Sequence, residues 1–448
     1  HLSIRRQRQM CIRDRYTEEE FIKRSPIDTR IILGYFQKAK REHIKEAINT
    51  AKKAFETWSS YDYRERIRIF RNISSIIEKN RFELAAWITY ECGKNRMEAL
   101  AEVHEAIDAI RYYCDIYEEN EGYIKKMPNG APGEICYSVA KPYGVWVVIS
   151  PFNFPFMLAN GMCLGALLTG NTVVFKPTSE TPLCGYLLYK YYKEGGVIDG
   201  AINYLTGPGN IFEDEITSNQ DVAGIAFTGS REVGMKLYRK FLTSQHYPKP
   251  VVLEMGSKNP TIISNKADID KAVEGTVRAA FGFGNQKCSA TSRVYVHKDV
   301  YEIFINKLIE RTKKLIIGDP RKKETFLGPI INSTALEKFK KYIQDAIRDG
   351  GKILYGGKVL DEEEFKYGFY VEPTIITNLP RNHYLFKEEL FVPILLIEPV
   401  NNLEEAINEA NNTEYGLTAG IFSEDENEIK YFFDHIQFGV AYANRRGG

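Results

Sequence analysis

Residues 145–150 read VWVVIS, an apolar run that predicts a buried β-strand. Four further runs of this kind follow along the chain, and a turn or a helix-like segment comes after each. They are NTVVFKP (171–177), AINYLTG (201–207), GIAFTGS (224–230) and PVVLEMG (250–256). The alternation of strands and helices predicts a parallel sheet of the α/β class.

The flanks of this region extend the pattern in both directions. Residues 41–58 carry apolar side chains at helical spacing, and more helix-like segments follow without proline to about residue 120. A turn cluster, MPNGAPG (127–133), separates them from the first strand. A second round begins near residue 270 with a helix, a strand at 292–297 and a long helix at 300–316. Two α/β domains are therefore predicted.

Composition excludes several classes of protein. The 448 residues carry a formal charge of +1, which gives no basic field for nucleic acid. No run approaches the roughly 20 apolar residues that span a bilayer. The seven cysteines are odd in number and widely spaced, without a CxxC pair, which argues against a disulfide framework or a metal site and for a reducing cytoplasm.

The first 15 residues, HLSIRRQRQMCIRDR, need a separate explanation. They hold five arginines and one aspartate and show no helical or strand period. A nucleic-acid or targeting arm and a disordered tail are two interpretations. The interpretation we favour is translated sequencing-adapter read-through, so residues 1–15 are excluded from the fold prediction.

Polar residues follow the predicted strands, where ligands bind in open parallel sheets. In FTGSREVG (227–234), Ser230 is a candidate N-cap and Glu232 lies in the first turn of the following helix. The free amides at such a helix start can hold a phosphate, although a plain N-cap is the alternative. The sequence GPGNIF (207–212) lacks the third glycine of the dinucleotide fingerprint and is weak evidence for a nucleotide.

Two more strand ends carry candidate functional residues. Lys176 lies just before Pro177, and it is either a solvated loop lysine or a donor to a ribose or phosphate. Asn153 lies between two prolines and three aromatic residues in SPFNFPF (150–156). An amide held rigidly in an apolar wall can donate to a developing oxyanion, and the alternative is a turn asparagine.

Glu254 and Cys288 are the candidates for acid–base and nucleophilic chemistry. Glu254 ends an apolar strand, where poor solvation raises the pKa of a carboxyl toward that of a working base. The alternative is a strand-end glutamate in a salt bridge. Cys288 lies among glycines and small polar residues in FGFGNQKCSATSR (281–293). A thiolate there can attack a carbonyl, and a buried structural thiol is the alternative.

Taken together, these residues resemble the aldehyde dehydrogenase superfamily. The resemblance runs from about residue 40 to the end, with the motifs in the family's order, and Glu254 and Cys288 are separated by 34 residues as in the family. The resemblance implies a Rossmann-like nucleotide-binding domain at 16–126 and 146–254, an oligomerisation hairpin at 127–145 and a catalytic domain at 255–448.

The resemblance also implies a role for each site residue. Cys288 is the nucleophile, Glu254 is the general base for deacylation, and Asn153 forms the oxyanion hole with the backbone amide of Cys288. The implied cofactor is NAD, with NADP possible, and the residues that contact it are Ser150, Lys176, Gly229, Ser230, Glu389 and Phe391.

The sequences GFGNQKCSATSR and YANRRGG resemble the 1-pyrroline-5-carboxylate dehydrogenase branch, which oxidises L-glutamate γ-semialdehyde to glutamate in proline breakdown. Ser289 would hold the substrate's carboxylate there. Alternatives are a dehydrogenase for another semialdehyde such as succinic, a thiol acyltransferase or esterase, and a non-catalytic nucleotide-binding member of the fold. Partners implied are a small aldehyde and further copies of the chain, without nucleic acid or membrane.

The chain departs from the family pattern at several positions. Ser179 stands where a glutamate often repels the 2′-phosphate of NADP, Ser257 and Val392 replace common glycines, and Met162 replaces a proton-relay lysine of some members. The family also continues beyond NRRGG with a substrate-anchoring turn and an oligomerisation strand. The resemblance therefore predicts a C-terminal truncation.

Overall fold

The computed structural model describes residues 19–447, so the tail at 1–15, and Cys11 within it, lie outside the described residues. The strands are β1 Glu20–Arg24, β2 Ile32–Gln37, β3 Ile124–Met127, β4 Cys136–Val139, β5 Val145–Ser150, β6 Thr172–Pro177, β7 Ile202–Tyr204, β8 Val222–Thr228, β9 Val251–Glu254, β10 Asn259–Ile263, β11 Thr291–His297, β12 Lys352–Tyr355, β13 Val359–Leu360, β14 Tyr370–Val371, β15 Thr374–Thr377, β16 Ile394–Val400, β17 Thr418–Phe422 and β18 Val440–Ala443.

Helices separate most of these strands. They are α1 Arg41–Ser59, α2 Tyr63–Lys79, α3 Arg81–Cys92, α4 Arg96–Glu119, α5 Met157–Leu168, α6 Pro182–Gly195, α7 Gly209–Ser218, α8 Arg231–Ser244, α9 Ile269–Phe281, α10 Tyr301–Lys313, α11 Ser333–Arg348, α12 Tyr384–Lys387, α13 Leu403–Asn411 and α14 Glu426–His435. None of the helices within residues 19–447 is long and apolar enough to cross a membrane.

The chain divides into two compact units. Unit 1 holds the described residues up to 24 together with 31–92 and 97–255, and unit 2 holds 25–30, 93–96 and the residues from 256 onward. Each unit is therefore assembled from separate stretches of sequence. The functional roles of the predicted domains stay predictions.

Unit 1 is built on a five-stranded parallel sheet in the order β7-β6-β5-β8-β9. All five predicted strands are present, and helix α1 buries the apolar face that its sequence spacing predicts. Side chains of the central strands, such as Val147, Val174 and Ile225, are fully buried in its core. The parallel α/β class predicted from the sequence is confirmed for this unit.

One expectation about this sheet is wrong. The run at 250–256 was expected to form a buried strand, but β9 is the edge strand and the side chain of Val252 is 56% exposed. An edge strand has a neighbour on one side only, so an apolar sequence does not guarantee burial there.

Strands β3 and β4 form a separate antiparallel hairpin around the predicted turn cluster. Its side chains are almost all exposed, and the large apolar ones include Ile124, Met127, Tyr137 and Val139. The hairpin overlaps the predicted oligomerisation segment at 127–145 but begins three residues earlier, at Ile124, and the role of the segment stays a prediction.

Unit 2 is built on a seven-stranded sheet in the order β12-β15-β16-β11-β10-β17-β18. Every pairing in it is parallel except that between β12 and β15. Short segments from early in the chain complete this unit: the amide of Phe369 donates to the carbonyl of Pro26 at 3.2 Å, and that of Thr29 donates to Tyr367 at 2.8 Å. The second predicted α/β domain is thus also present.

Candidate active site

The candidate residues of unit 1 lie along one edge of its parallel sheet. Lys176 on β6 is paired with Ile149 on β5, one residue before Ser150, which ends that strand. On the other side of β5, β8 ends at Thr228, which is paired with Glu254 at the end of β9. Because parallel strands point the same way, these side chains gather at the carboxyl edge, as the sequence predicts.

Lys176 is buried rather than solvated, so the loop-lysine interpretation is wrong. Its side chain is 6% exposed, and its ammonium donates to the carbonyl of Pro177 at 3.2 Å. Burial lowers the pKa of Lys176 to about 8, since desolvation disfavours the charged amine. The amine also lies 5.3 Å from the ring centre of Phe212. A lysine that is buried with one hydrogen bond retains donors for a ligand.

Two buried polar atoms at and just after the end of β5 have no hydrogen-bond partner among the described residues. They are Oγ of Ser150 and Oδ1 of Asn153. Both side chains are almost fully buried. Unsatisfied buried polar groups are rare and costly, so they mark a place where a ligand or solvent atom is expected. The unsatisfied hydroxyl of Ser150 fits its predicted role as a cofactor contact, while the atom left without a partner in Asn153 is its acceptor oxygen and not the amide nitrogen that an oxyanion would need.

A carboxylate from α4 anchors the segment that carries Asn153. Glu102 is buried, and its Oε1 accepts from the amides of Phe156 and Met157 at 2.9 and 3.2 Å. These amides lie at the start of α5, where helix backbone donors lack intrahelical partners. Asn153 is therefore followed within three residues by a fixed helix end.

The FTGS motif forms the predicted helix start. Ser230 is the N-cap of α8, and its Oγ accepts from the amide of Val233 at 3.4 Å. Gly229 donates its amide to the carbonyl of Glu254 at 3.1 Å. A side chain at Gly229 would meet the Phe227 ring at 2.5 Å, so glycine lets the motif approach that ring. This turn therefore joins the predicted phosphate contact to the predicted base.

Glu254 is half-buried, and burial raises its pKa above the usual range for a glutamate. No lysine, arginine or histidine of residues 19–447 lies within 4.0 Å of its carboxylate, so the salt-bridge interpretation is wrong. A carboxyl with a raised pKa and no cation to neutralise it is suited to accept a proton near neutral pH.

The candidate residues of unit 2 lie at the amino ends of its strands and not at the carboxyl ends. Cys288 and Ser289 precede β11, and Glu389 and Phe391 precede β16, so all four lie at the amino ends of parallel strands. The expectation that the unusual residues cluster at carboxyl ends is wrong for this unit.

The turn before Cys288 has an unusual backbone. Phe283, Gly284 and Asn285 have φ values of 49°, 64° and 59°, in the left-handed region. Asn285 stabilises the turn by donating through Nδ2 to the carbonyls of Ala280 and Thr291, both at 2.8 Å. Left-handed non-glycine residues are uncommon and concentrate at functional sites.

Cys288 itself is partly exposed, and its carbonyl accepts from Nδ2 of Asn259 at 2.7 Å. The carbonyl of the next residue, Ser289, accepts from Oγ1 of Thr418 at 3.2 Å. The backbone on both sides of the thiol is thereby held by side chains from β10 and β17.

The other described cysteines differ from Cys288. Four of them are buried: Cys92, Cys114, Cys163 and Cys184. Burial raises the pKa of the Cys114, Cys163 and Cys184 thiols, which suppresses their thiolate form. Cys136, on the exposed hairpin, is partly exposed like Cys288.

Glu389 is held in a position that depends on a glycine. Its Oε1 accepts from the amide of Ser257 at 2.9 Å, and a Cβ on Gly256 would collide with its Oε2. Burial raises the pKa of Glu389 to about 7, offset in part by the Ser257 amide and by Lys258. Phe391, two residues on, has a φ of 58°, so this segment is also strained.

Lys258 is a buried amine that the sequence argument missed. Its side chain is fully buried, and Nζ has no hydrogen-bond partner among the described residues. Burial and the neighbouring Arg293 lower the pKa of Lys258 well below its usual range. The signal in the sequence was a lysine directly after the strand-end glutamate motif, in EMGSKNP (254–260).

No group of three or more metal-ligating side chains occurs within residues 19–447. The polar side chains described above include a thiol, two carboxyls, an amide and two buried amines.

The chain matches the family described as Aldehyde dehydrogenase family over residues 13–447. This match covers nearly the whole chain, and the fold consists of the two parallel α/β units described above. The chain therefore belongs to the aldehyde dehydrogenase family. It is an NAD(P)-dependent oxidoreductase that acts on aldehyde groups.

Several proteins are similar to it. The 1-pyrroline-5-carboxylate dehydrogenase 1 of Halalkalibacterium halodurans is 35% identical over 433 residues, which cover 96% of this chain and 82% of that protein. The D-glyceraldehyde dehydrogenase (NADP(+)) of Picrophilus torridus is 35% identical over 429 residues, 96% of this chain and 86% of that protein. The structure of 1-pyrroline-5-carboxylate dehydrogenase from Thermus with bound NAD aligns with a TM-score of 0.91 at 32% identity, over 96% of this chain and 83% of that one.

Proposed function

We propose that the protein oxidises L-glutamate γ-semialdehyde to L-glutamate with NAD as the hydride acceptor, in proline catabolism within a reducing cytoplasm. The observation that carries the substrate assignment is the similarity to 1-pyrroline-5-carboxylate dehydrogenases over 96% of the chain, together with the GFGNQKCSATSR sequence around Cys288. Ser289 would hold the substrate's carboxylate.

In this proposal, Cys288 forms the covalent intermediate. Its thiolate attacks the aldehyde carbon to give a thiohemiacetal. The partial exposure of Cys288 and the fixed backbone on both sides of it support this role. The amide side chain of Asn153 and the backbone amide of Cys288 would stabilise the oxyanion, each by a few kcal/mol.

Glu254 acts in the second half of the reaction. Its carboxylate removes a proton from a water molecule, which attacks the thioester on Cys288 and releases the acid. The raised pKa of Glu254 supports this assignment, because a base of ordinary acidity would accept the proton less readily. Met162, whose sulfur accepts from Oγ1 of Thr228 at 3.5 Å, offers no titrating group to relay the proton.

The proposal also assigns cofactor contacts to residues of each unit. In unit 1, the buried amine of Lys176 would donate to the adenosine ribose, Ser150 would donate through its unsatisfied hydroxyl, and Gly229 and Ser230 would hold the pyrophosphate. In unit 2, Glu389 would accept from the nicotinamide ribose, with Phe391 beside it. NAD, when bound, supplies the acceptor for the hydride that leaves the aldehyde carbon.

A second candidate is an NADP-dependent dehydrogenase of another small aldehyde such as D-glyceraldehyde. The Picrophilus relative, which carries that name, is as similar in identity as the first. Ser179, in place of an acid, is exposed and leaves room for a 2′-phosphate.

The test is to compare kcat/KM of the purified protein for glutamate γ-semialdehyde, succinic semialdehyde and D-glyceraldehyde, with NAD and with NADP. We expect the first aldehyde with NAD to give the highest value, and Cys288→Ala to remove activity with every aldehyde. A higher kcat/KM for D-glyceraldehyde would replace the substrate assignment, and a Cys288→Ala variant that still turns over would refute the proposed chemistry.

A further inference from the structure

The amide side chain of Asn259 connects several segments of unit 2. Asn259 is the first residue of β10 and is 2% exposed. Its Nδ2 donates to the carbonyls of Cys288 and Ala290 at 2.7 and 2.8 Å. Its Oδ1 accepts from the amide of Thr418 at 3.0 Å and from Oγ of Ser257 at 2.5 Å. Both ends of this buried amide are therefore fully used.

The hydroxyl of Ser257 determines which way this amide points. The backbone amide of Leu417 donates to Oγ of Ser257 at 3.3 Å, so the hydroxyl uses its proton to donate to Oδ1 of Asn259. A second donor, the amide of Thr418, faces the same oxygen. If the Asn259 amide were flipped, Nδ2 would face these two donors. The amide therefore takes the orientation in which Nδ2 faces the carbonyls of the Cys288 loop.

The segment that carries these two side chains is fixed at each of its three residues. The amide of Ser257 donates to Glu389 at 2.9 Å. The carbonyl of Lys258 accepts from Nη2 and Nε of the buried Arg293 at 2.6 and 3.0 Å. Asn259 then holds the Cys288 loop as described. One short segment thus links the residue proposed to hold the cofactor with the loop of the proposed nucleophile.

We propose that Asn259 is a positioning residue that fixes the backbone of Cys288 for attack, and that the Ser257 hydroxyl orients its amide. The inference rests on the proposed role of Cys288. The resemblance to the family places glycine at position 257, and a glycine has no hydroxyl, so the orienting contact belongs to this chain. Asn259 does not touch the substrate and acts through the carbonyls of Cys288 and Ala290.

The experiment uses the full chain with three substitutions. Asn259→Ala removes the contacts to the loop, and Ser257→Ala removes the orienting hydroxyl alone. Thr261→Val is the matched control: Thr261 lies on the same strand, and its Oγ1 makes one buried hydrogen bond of 2.9 Å to Oγ1 of Thr291. For each variant, kcat and KM for the aldehyde, the rate of Cys288 alkylation by iodoacetamide and the melting temperature are measured.

Positioning predicts a specific pattern. In Asn259→Ala, kcat should fall by about tenfold or more, because attack needs an oriented thiolate. Here kcat is calculated from the concentration of protein whose Cys288 reacts with iodoacetamide. Alkylation by a small reagent needs only access, so its rate should stay within about threefold, as should KM. Ser257→Ala should lower kcat by about threefold, and Thr261→Val should shift the melting temperature while leaving kcat within about twofold.

The outcomes separate this inference from the proposed function. Asn259→Ala with kcat within twofold of the wild type overturns the inference, and so does an equal loss of kcat in Thr261→Val. If Asn259→Ala does not fold, Ser257→Ala decides, since an unchanged kcat in it overturns the orienting role. A Cys288→Ala variant that retains turnover refutes the proposed function instead, whatever the other variants show.

Discussion

Among the candidate site residues, both carboxyl groups have a raised pKa. Burial raises the pKa of Glu254 above its ordinary value and that of Glu389 to about 7. In the surface salt bridges of the protein the opposite holds: hydrogen bonds from Arg348 and His383 hold the pKa of Asp349 to about 2. Burial raises the pKa of the first two carboxyls, whereas hydrogen bonds from cationic side chains lower that of Asp349.

The base can be tested by removing its charge. In Glu254→Gln, we expect the hydride-transfer burst to remain and steady-state turnover to fall by about 10²- to 10⁴-fold, because the thioester forms but water is not activated. In the wild type, turnover should rise with pH through a pKa above that of an ordinary glutamate, since Glu254 must lose its proton to act. Stopped-flow absorbance at 340 nm and a pH profile measure both. Loss of the burst would contradict the assignment.

Thiol reactivity tests the nucleophile independently of turnover. We expect limited iodoacetamide to label Cys288 before Cys92, Cys114, Cys163 and Cys184, because those four are buried and a buried thiol is hard for the reagent to reach. Cys136 is partly exposed and is the natural competitor, so Cys136→Ser provides the background for comparison. Peptide mapping by mass spectrometry gives the order. Labelling of any of the four before Cys288 would contradict the prediction.

Cofactor preference depends on position 179. Ser179 is exposed, and the neighbouring Glu180 is paired with Lys23 at 3.2 Å, which offsets its charge. Ser179→Glu should therefore raise KM for NADP by about fivefold at low salt, because the new carboxylate repels the 2′-phosphate. KM for NAD should stay nearly unchanged. The control is Ser179→Gln, which has the same shape without the charge. An equal change in KM for both cofactors would rule out the electrostatic explanation.

At the scale of elements, the sequence predicted which segments form strands more reliably than where each strand lies. The five strands of unit 1 and the cap at Ser230 depend on local sequence and were found. The exposure of Val252 depends on β9 being an edge strand, which the strand order alone determines. The contacts of Asn259 depend on residues about 30 and 160 positions away, which no local pattern encodes.

The loop between β9 and β10 gives a test at this scale. Gly256→Ala should raise the Kd for NAD by about tenfold, because the new Cβ would displace the Glu389 carboxylate. Gly318→Ala is the matched control in the same unit, since its Cβ would make only an ordinary contact of 3.6 Å with Thr325. Isothermal titration with NAD, beside melting temperatures, separates the binding effect from stability. Equal affinities in the two variants would contradict the prediction.

For the whole molecule, buried carboxyls predict how stability varies with pH. Glu91 is fully buried, and burial raises its pKa to about 7 although the amides of Leu183 and Cys184 each donate to it at 2.7 Å. In the unfolded chain this carboxyl ionises near 4.5, and in the folded protein near 7. Its contribution to the free energy of unfolding is therefore present below pH 4.5 and is lost as the pH rises to 7, by at most about 3 kcal/mol.

The prediction is that the melting temperature of the nucleotide-free protein falls between pH 5 and pH 7 and that Glu91→Gln makes this decline shallower, since glutamine does not titrate. Glu83→Gln, an exposed change on the same helix, is the control and should leave the slope as it is. Thermal melts by circular dichroism at half-unit steps of pH provide the measurement. A slope that is identical in Glu91→Gln and the wild type would show that Glu91 does not titrate in this range.

The discontinuous make-up of unit 2 has a consequence for how the chain is synthesised. The carbonyl of Ile27 accepts from the hydroxyl of Tyr370, 343 residues later, and Nδ2 of Asn95 donates to the carbonyl of Phe326, 231 residues later. At a translation rate of about 5–20 residues per second, the first pair is separated by roughly 20 to 70 s on the ribosome. Segment 25–30 therefore cannot form these contacts until most of the chain has been synthesised. Unit 2 can complete its folding only late, through slow contact formation between segments that are distant in sequence.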